Sequence, residues 1–221
     1  MRAAAKPRVK ICCIRSVEEA WTAIGYGASA LGLVSQMPSG PGVIPDETIA
    51  LIAAAVPPPV ATFLLTCRQD AASIIDQQRR LRTSTLQICD RLETGGYPDL
   101  RQALPGVRLV AVVHVTGPGS VEEAVAVGRV ADAILLDSGR PDAAVKELGG
   151  TGRLHDWALS RQIREAVDVP VFLAGGITPE NAAEAVAAVG SFALDVCTGV
   201  RTDGALDEAK LRRLFAAIRP D

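Results

Sequence analysis

Two side chains in this sequence stand where acid–base chemistry at the end of a strand could occur. Cys12 lies at the end of the run "KPRVKICC", which closes on Cys13, and Asp137 closes "DAILLD", where a carboxylate follows three large apolar residues. A thiolate can take a proton and a carboxylic acid can give one, so the two make a base and acid pair if the fold sets them across one cavity. Each has a plainer reading as well. A lone cysteine packs as a small hydrophobe, and a strand-end aspartate turns or caps the chain. Side chains alternate along a strand, so Lys10 and Cys12 share one face while Ile11 and Cys13 share the other. The Lys10 face is expected to be interior. That makes Cys12 the displayed thiol, with Lys10 able to lower its pKa, and Cys13 a packing thiol turned toward the helices.

Two glycine-bearing stretches suggest where an anion would sit. In "FLAGGITPENAAEA", Gly175 and Gly176 leave an apolar run just ahead of a helix opened by Thr178-Pro179; in "LDVCTGVRTDG", Thr198 and Gly199 follow another. Backbone without a Cβ lets N–H groups approach an anion closely, and a helix N-terminus adds a favourable dipole. Either loop alone is equally a tight strand-to-helix turn. Both together point to phosphate.

The elements that must position these groups are short runs rich in Val, Ile and Leu: Arg8–Ile14, Ala30–Val34, Val60–Leu65, Thr85–Cys89, Arg108–Val115, Ala133–Asp137, Val169–Leu173 and Phe192–Val196. Nearly continuous apolar runs suit strands buried on both faces. Helical segments alternate with them. Ser16 with Glu19 and Ser120 with Glu123 read as capping boxes, and Val17, Ala20, Trp21 and Ile24 fall on one helix face. Trp21 and Trp157 are expected to pack in the helix layer. Eight β-then-α units in 221 residues predict one domain over residues 1–221, an α/β protein of the single (β/α)8 TIM-barrel class. A doubly wound sheet would show fewer strands, often with a G-x-G-x-x-G that is absent here. Barrel sites sit at the C-terminal ends of the strands, with phosphate commonly after the seventh and eighth. The glycine loops fall there.

Bulk properties exclude several partners. With 23 Lys and Arg against 25 Asp and Glu, the net charge of −2 offers no basic field for nucleic acid or an anionic membrane. Prolines 57, 58 and 59 interrupt the apolar segment "IALIAAAVPPPVATFLL", so neither half spans a bilayer, and "MRAAAKPR" lacks the apolar stretch of a signal peptide. Five cysteines, an odd number without paired ligand spacing, fit reduced thiols in the cytoplasm. His114 and His155 lie in different units without a carboxylate partner, so no metal site is expected. The sequence leaves monomer and homodimer both open.

From about residue 8 to residue 216, "VKICCIRSVEEA", "DAILLDS", "KELGGTGRLHDW", "FLAGGITPENAAEA" and "DVCTGVRTDG" resemble the successive motifs of the phosphoribosylanthranilate isomerase family of tryptophan biosynthesis. The resemblance implies an Amadori rearrangement of N-(5-phosphoribosyl)anthranilate without metal or organic cofactor. It implies Asp137 as the general acid on the furanose oxygen, Cys12 as the base at the sugar C2, and Gly175, Gly176, Thr198 and Gly199 as phosphate contacts. Asp195 matches a supporting carboxylate.

Three positions depart from the family pattern. Cys13 stands where the family has Gly. In "MPSGPGV", Gly42 stands where the family carries an Arg that engages the anthranilate carboxylate. Gln87-Ile88-Cys89-Asp90 replaces Gln-Leu-His-Gly, so a His is absent. A charged hydrogen bond is worth roughly 1.5–3 kcal/mol, so the aglycone end has changed materially. Arg15 is the first candidate to replace that charge, with Arg91 and Arg140 behind it and Lys10 a further substrate contact. The resemblance also leaves open another phosphorylated aminosugar as substrate, and a noncatalytic phosphosugar-binding barrel. The loop from Ser138 to Trp157 is long enough to cover the mouth.

Overall fold

The computed structural model describes residues 7–150 and 152–218. Eight parallel strands close into a barrel in sequence order: β1 (Arg8–Ile11), β2 (Ala30–Val34), β3 (Ala61–Thr66), β4 (Thr85–Ile88), β5 (Arg108–His114), β6 (Ala133–Asp137), β7 (Val171–Leu173) and β8 (Ala193–Val196). The helices around them are α1 (Val17–Tyr26), α2 (Asp46–Ala55), α3 (Ala71–Leu81), α4 (Tyr97–Ala103), α5 (Gly119–Gly128), α6 (Trp157–Ala166), α7 (Ala182–Val189) and α8 (Glu208–Ala217). The expected (β/α)8 barrel is the fold. β1 closes it against β8, with Lys10 opposite Asp195.

Alternation sorts the strand residues into two cores. Leu31, Leu33, Leu64, Leu86, Ile134 and Leu194 face outward and pack with Ile49, Ile74 and Ile163 of the helices, all fully buried. Phe63, Leu65, Leu135 and Phe172 face inward with Cys12. Both faces are therefore dry, which is why the strands read as continuous apolar runs. Burying one such Leu or Ile contributes about 1.5–3 kcal/mol. Among the described residues, no helix is long and apolar enough to cross a membrane.

Several local expectations are corrected. β1 ends at Ile11 rather than Ile14, because Cys13 adopts a left-handed conformation (φ 62°) that no strand continues through. Other strand ends that differ do so by one or two residues. Ser120 does not cap a helix: α5 begins at Gly119, and the Ser120 hydroxyl instead donates to the His114 carbonyl at 3.1 Å and accepts from the Thr116 N–H. Thr178-Pro179 opens a turn, with α7 starting only at Ala182. Trp21 is 51% exposed, pushed out of the helix layer because Ala20 and Ala23 take the buried side of α1.

The Ser16 cap of α1 forms, accepting from the Glu19 N–H at 3.2 Å, but the Glu19 carboxylate does not return to Ser16. It is taken by the Arg15 N–H at 3.0 Å and by Arg201. Arg201 starts a small antiparallel ribbon after β8, β9 (Arg201–Thr202) and β10 (Ala205–Leu206). Its guanidinium is buried, pairs with Glu19 through both terminal nitrogens at 3.0 Å, and donates to the Cys13 carbonyl at 2.5 Å. One side chain thus clamps the turn after β1 to the segment after β8. Arg201→Met leaves Glu19 half-buried without its cation. Urea unfolding should show a loss of about 2–3 kcal/mol, less than the roughly 3–5 of a fully buried pair; a change within about 0.5 kcal/mol would contradict the clamp.

Candidate active site

The inward positions at the C-terminal ends of the strands line a narrow cleft of about 70 Å³ that opens to solvent. Cys12 follows β1, Gln87 lies on β4, Asp137 ends β6, Gly175 and Gly176 follow β7, Asp195 lies on β8 and Thr198 follows it. Groups scattered over nearly 190 residues converge because each follows the same face of its own strand. The opposite end of the barrel also has a hollow, but Phe63, Phe172 and Phe192 line it and neither Cys12 nor Asp137 reaches it.

Lys10 lies beneath the cleft, fully buried on the barrel axis. Its Nζ donates to Asp195 Oδ1 at 2.9 Å, lies 3.6 Å from Cys12 Sγ and sits 5.2 Å from the centre of the Phe63 ring. Burial disfavours its charge, but Asp195 and the Cys12 thiol outweigh burial and hold its pKa above the usual lysine value. Lys10 stays cationic. It does not line the cleft, so its effect on a ligand is exerted through Cys12 and Asp195.

Cys12 is 5% exposed, at the cleft floor. Its pKa is lowered first by the neighbouring Cys13 thiol and then by Lys10, against the opposing effect of burial, while the Cys13 thiol itself donates to the Pro41 carbonyl at 3.6 Å. The geometry leaves little slack. Gly32 of β2 faces it, and a Cβ at that position would lie 2.6 Å from Cys12 Sγ and 3.1 Å from Lys10 Nζ.

Asp137 accepts the Ser138 N–H at 2.7 Å, and burial raises its pKa to about 6. The loop after β6 comes against it: a Cβ at Gly149 (φ 139°) would lie 2.7 Å from Asp137 Oδ2. That loop does approach the mouth, placing Gly149, Gly150 and Gly152 in the cleft wall. Its Lys146 is held by Asp90 at 2.6 Å. His155 packs behind the Gly175 turn with Nε2 2.7 Å from the Ser160 hydroxyl, and burial pushes its pKa down to about 4, so the ring is neutral.

Gly175 (φ 77°) and Gly176 (φ 65°) are both left-handed, a conformation that suits glycine and turns their N–H groups along the loop. Thr198 lies across from them in the same wall. Gly199 is not in the wall; it packs against the Ile177 carbonyl so closely that a side chain has no room. Its contribution is the contact between the β7 and β8 loops.

Sequence reasoning failed at Cys13. The left-handed turn carries its thiol back into the mouth beside Cys12, away from the helix layer. There Cys13 is 4% exposed, and hydrogen bonding to Cys12 and Cys197, with burial, keeps its thiol protonated. Cys13 and Gly42 also claim one space: Gly42 has φ 84°, and a Cβ there would lie 2.8 Å from Cys13 Sγ. The two departures noted in sequence are one exchange of volume.

Arg15 is displaced from the cleft. Its Nη1 bonds the Gly204 carbonyl at 3.3 Å, and it borders a separate side pocket with Arg201. Arg91 borders an outer groove instead. Among the described residues, no Arg or Lys lines the cleft.

Fold and cleft define a (β/α)8 barrel with a cysteine and an aspartate at one mouth. Residues 9–217 match the family model of N-(5'-phosphoribosyl)anthranilate (PRA) isomerase, and the chain belongs to that family. The N-(5'-phosphoribosyl)anthranilate isomerase of Methanocella arvoryzae is 35% identical over 208 residues, covering 94% of this chain and 95% of that protein. The solved structure of the Thermus thermophilus phosphoribosyl anthranilate isomerase is 31% identical with a TM-score of 0.78, covering 96% of this chain and 98% of that one. The Thermotoga maritima enzyme superposes with a TM-score of 0.80 at 26% identity over the same shares.

Asp137 yields a pH-dependent prediction. A carboxyl whose pKa is higher folded than unfolded contributes stability below the unfolded value, near 3.8, and loses it as pH rises through about 6. At roughly 1.4 kcal/mol per pKa unit, the ionised group costs the fold about 3 kcal/mol. Asp137→Asn should therefore be close to neutral at pH 4 and stabilising by about 1–3 kcal/mol at pH 8 in urea unfolding. Equal stability of the two proteins at pH 8 would show that Asp137 carries no such strain.

Proposed function

We propose that this protein is a cytoplasmic isomerase that converts N-(5-phosphoribosyl)anthranilate to 1-(2-carboxyphenylamino)-1-deoxyribulose 5-phosphate in tryptophan biosynthesis. Family membership supports the reaction. The observation that carries it onto particular side chains is the meeting of Cys12, a thiol whose pKa is lowered, with Asp137, a carboxyl that titrates near pH 6, in one cleft between glycine loops.

Asp137 in its acid form protonates the furanose oxygen as the ring opens and the nitrogen lone pair forms the Schiff base. Cys12 then removes the proton from the sugar C2, and the resulting enolamine tautomerises to the aminoketose. Lys10 and Asp195 act from below, keeping positive charge next to the thiolate. The phosphate is gripped by the backbone N–H groups at Gly175 and Gly176 with the Thr198 hydroxyl. Anchoring that end fixes the reacting carbons while the sugar opens.

The aglycone end favours a second reading. With no Arg or Lys in the cleft wall among the described residues, an anthranilate carboxylate meets neutral donors there. The same chemistry on a phosphorylated aminosugar without that carboxylate fits these walls as well.

Turnover of freshly generated N-(5-phosphoribosyl)anthranilate, followed by loss of its fluorescence, decides between them. Wild type should turn it over, and Cys12→Ala should lose about 10²–10⁴-fold in kcat. Absence of turnover in folded wild type that still binds the phosphorylated product would sink the anthranilate assignment and favour the second reading. Gly32→Ala tests the geometry: its methyl displaces Cys12 Sγ and should lower kcat by about 10- to 100-fold. An unchanged rate in that variant would mean Cys12 is not the base.

A further inference from the structure

We propose that Cys12 and Cys13 form a peroxide-responsive dithiol, in which Cys12 is oxidised first and Cys13 resolves it to a reversible disulfide. The consequence for turnover rests on the assignment of Cys12 as the base; the covalent chemistry does not.

Both thiols line the cleft wall, each with a small exposed face (5% for Cys12, 4% for Cys13) that opens toward solvent through the barrel mouth. The left-handed turn at Cys13 puts its sulfur in the same cleft wall as Cys12, where it donates to the Pro41 carbonyl at 3.6 Å, and glycine at position 42 leaves the room it occupies. Lys10 Nζ, 3.6 Å from Cys12 Sγ, favours the nucleophilic form of that sulfur; it acts the same way on Cys89, where burial outweighs it. The other cysteines differ. Cys89 and Cys67 are held as thiols chiefly by burial, and Cys197 lies beyond Cys13, next to it rather than to Lys10. The cluster therefore has one reactive member and one partner in place.

In the first step the Cys12 sulfur attacks one oxygen of hydrogen peroxide. The O–O bond breaks, hydroxide leaves, and Cys12 becomes a sulfenic acid. In the second, the Cys13 sulfur attacks the Cys12 sulfur, the S–O bond breaks, and the departing hydroxide takes the Cys13 proton as water. Two thiols lose two electrons and one peroxide becomes two waters. A disulfide between adjacent residues closes a small, strained ring, which makes it easy to reduce again.

The test treats reduced full-length protein with a small excess of hydrogen peroxide, blocks free thiols with an alkylating reagent and maps the peptides by mass. The peptide holding both cysteines should lose the mass of two hydrogens and the count of free thiols should fall by two. Substrate turnover should fall in proportion to disulfide formed, and dithiothreitol should restore both. In Cys13→Gly, whose glycine suits φ 62°, Cys12 should advance to the sulfinic acid and dithiothreitol should no longer rescue it. Cys13→Ser serves the same purpose if the glycine variant fails to fold. Three results would overturn the proposal: wild type that stops at sulfenic or sulfinic acid like the variants, a disulfide that maps to Cys197, or thiols that survive peroxide unchanged. The mass readout needs no isomerase activity, so a protein inactive on N-(5-phosphoribosyl)anthranilate that still forms the bond would overturn only the function assigned above.

Discussion

The Lys10–Asp195 ion pair, sealed inside the barrel at 2.9 Å, is the constraint around which the site is arranged. It joins the first strand to the last across the seam that closes the sheet. A charge pair removed from water is costly unless its geometry is good and its remaining valences are met. Lys10 meets this condition with three neighbours: the Asp195 carboxylate, the Cys12 sulfur and the face of Phe63. Two of those are the functional groups of the cleft floor. The arrangement that makes a buried lysine tolerable thus also helps to lower the Cys12 pKa, after the Cys13 thiol. Asp137 feels both ends of the pair, with Asp195 raising its pKa and Lys10 lowering it, while burial decides the outcome.

Around this fixed floor the walls are built from backbone more than from side chains. Glycines 149, 150, 152, 175 and 176 all line the cleft, and all are left-handed. Such a wall presents N–H and carbonyl groups at close range and is suited to an anion, while discriminating little among the groups attached to it. What distinguishes one substrate from another must come from the few side chains that remain, among them Ser39, Gln87 and Cys13.

Much of this was legible in the sequence because barrel strands repeat one pattern. The eight apolar runs, the face shared by Lys10 and Cys12, and the position of Asp137 at a strand end all follow from period-two alternation. What escaped was whatever depends on contacts between distant segments or on local departure from alternation. Alternation alone sends Cys13 to the helix layer, because nothing in "KICCIR" announces a left-handed residue. Arg201 drew no notice because its partners, Glu19 and the Cys13 carbonyl, are about 180 residues away. Glu19 in turn satisfied a capping-box pattern that only half forms. Arg15 looked like a replacement cation since it lies close in sequence to Cys12, yet its side chain leaves toward Gly204.

The shared space of Cys13 and Gly42 has a consequence for how such a cleft can change over evolutionary time. A left-handed cysteine costs about 1–2 kcal/mol that glycine would not, so a change from Cys13 to glycine runs downhill and removes the side-chain atoms that crowd position 42. A side chain at position 42 can follow only with a backbone shift, since the Cys13 Cα stays 3.0 Å from a Cβ there and the φ at 42 is 84°. The opposite order is blocked, because any residue larger than glycine at 42 must first meet the cysteine. Two substitutions that look independent in a sequence comparison are therefore ordered in history. The space they share works as a ratchet, and this chain stands on one side of it.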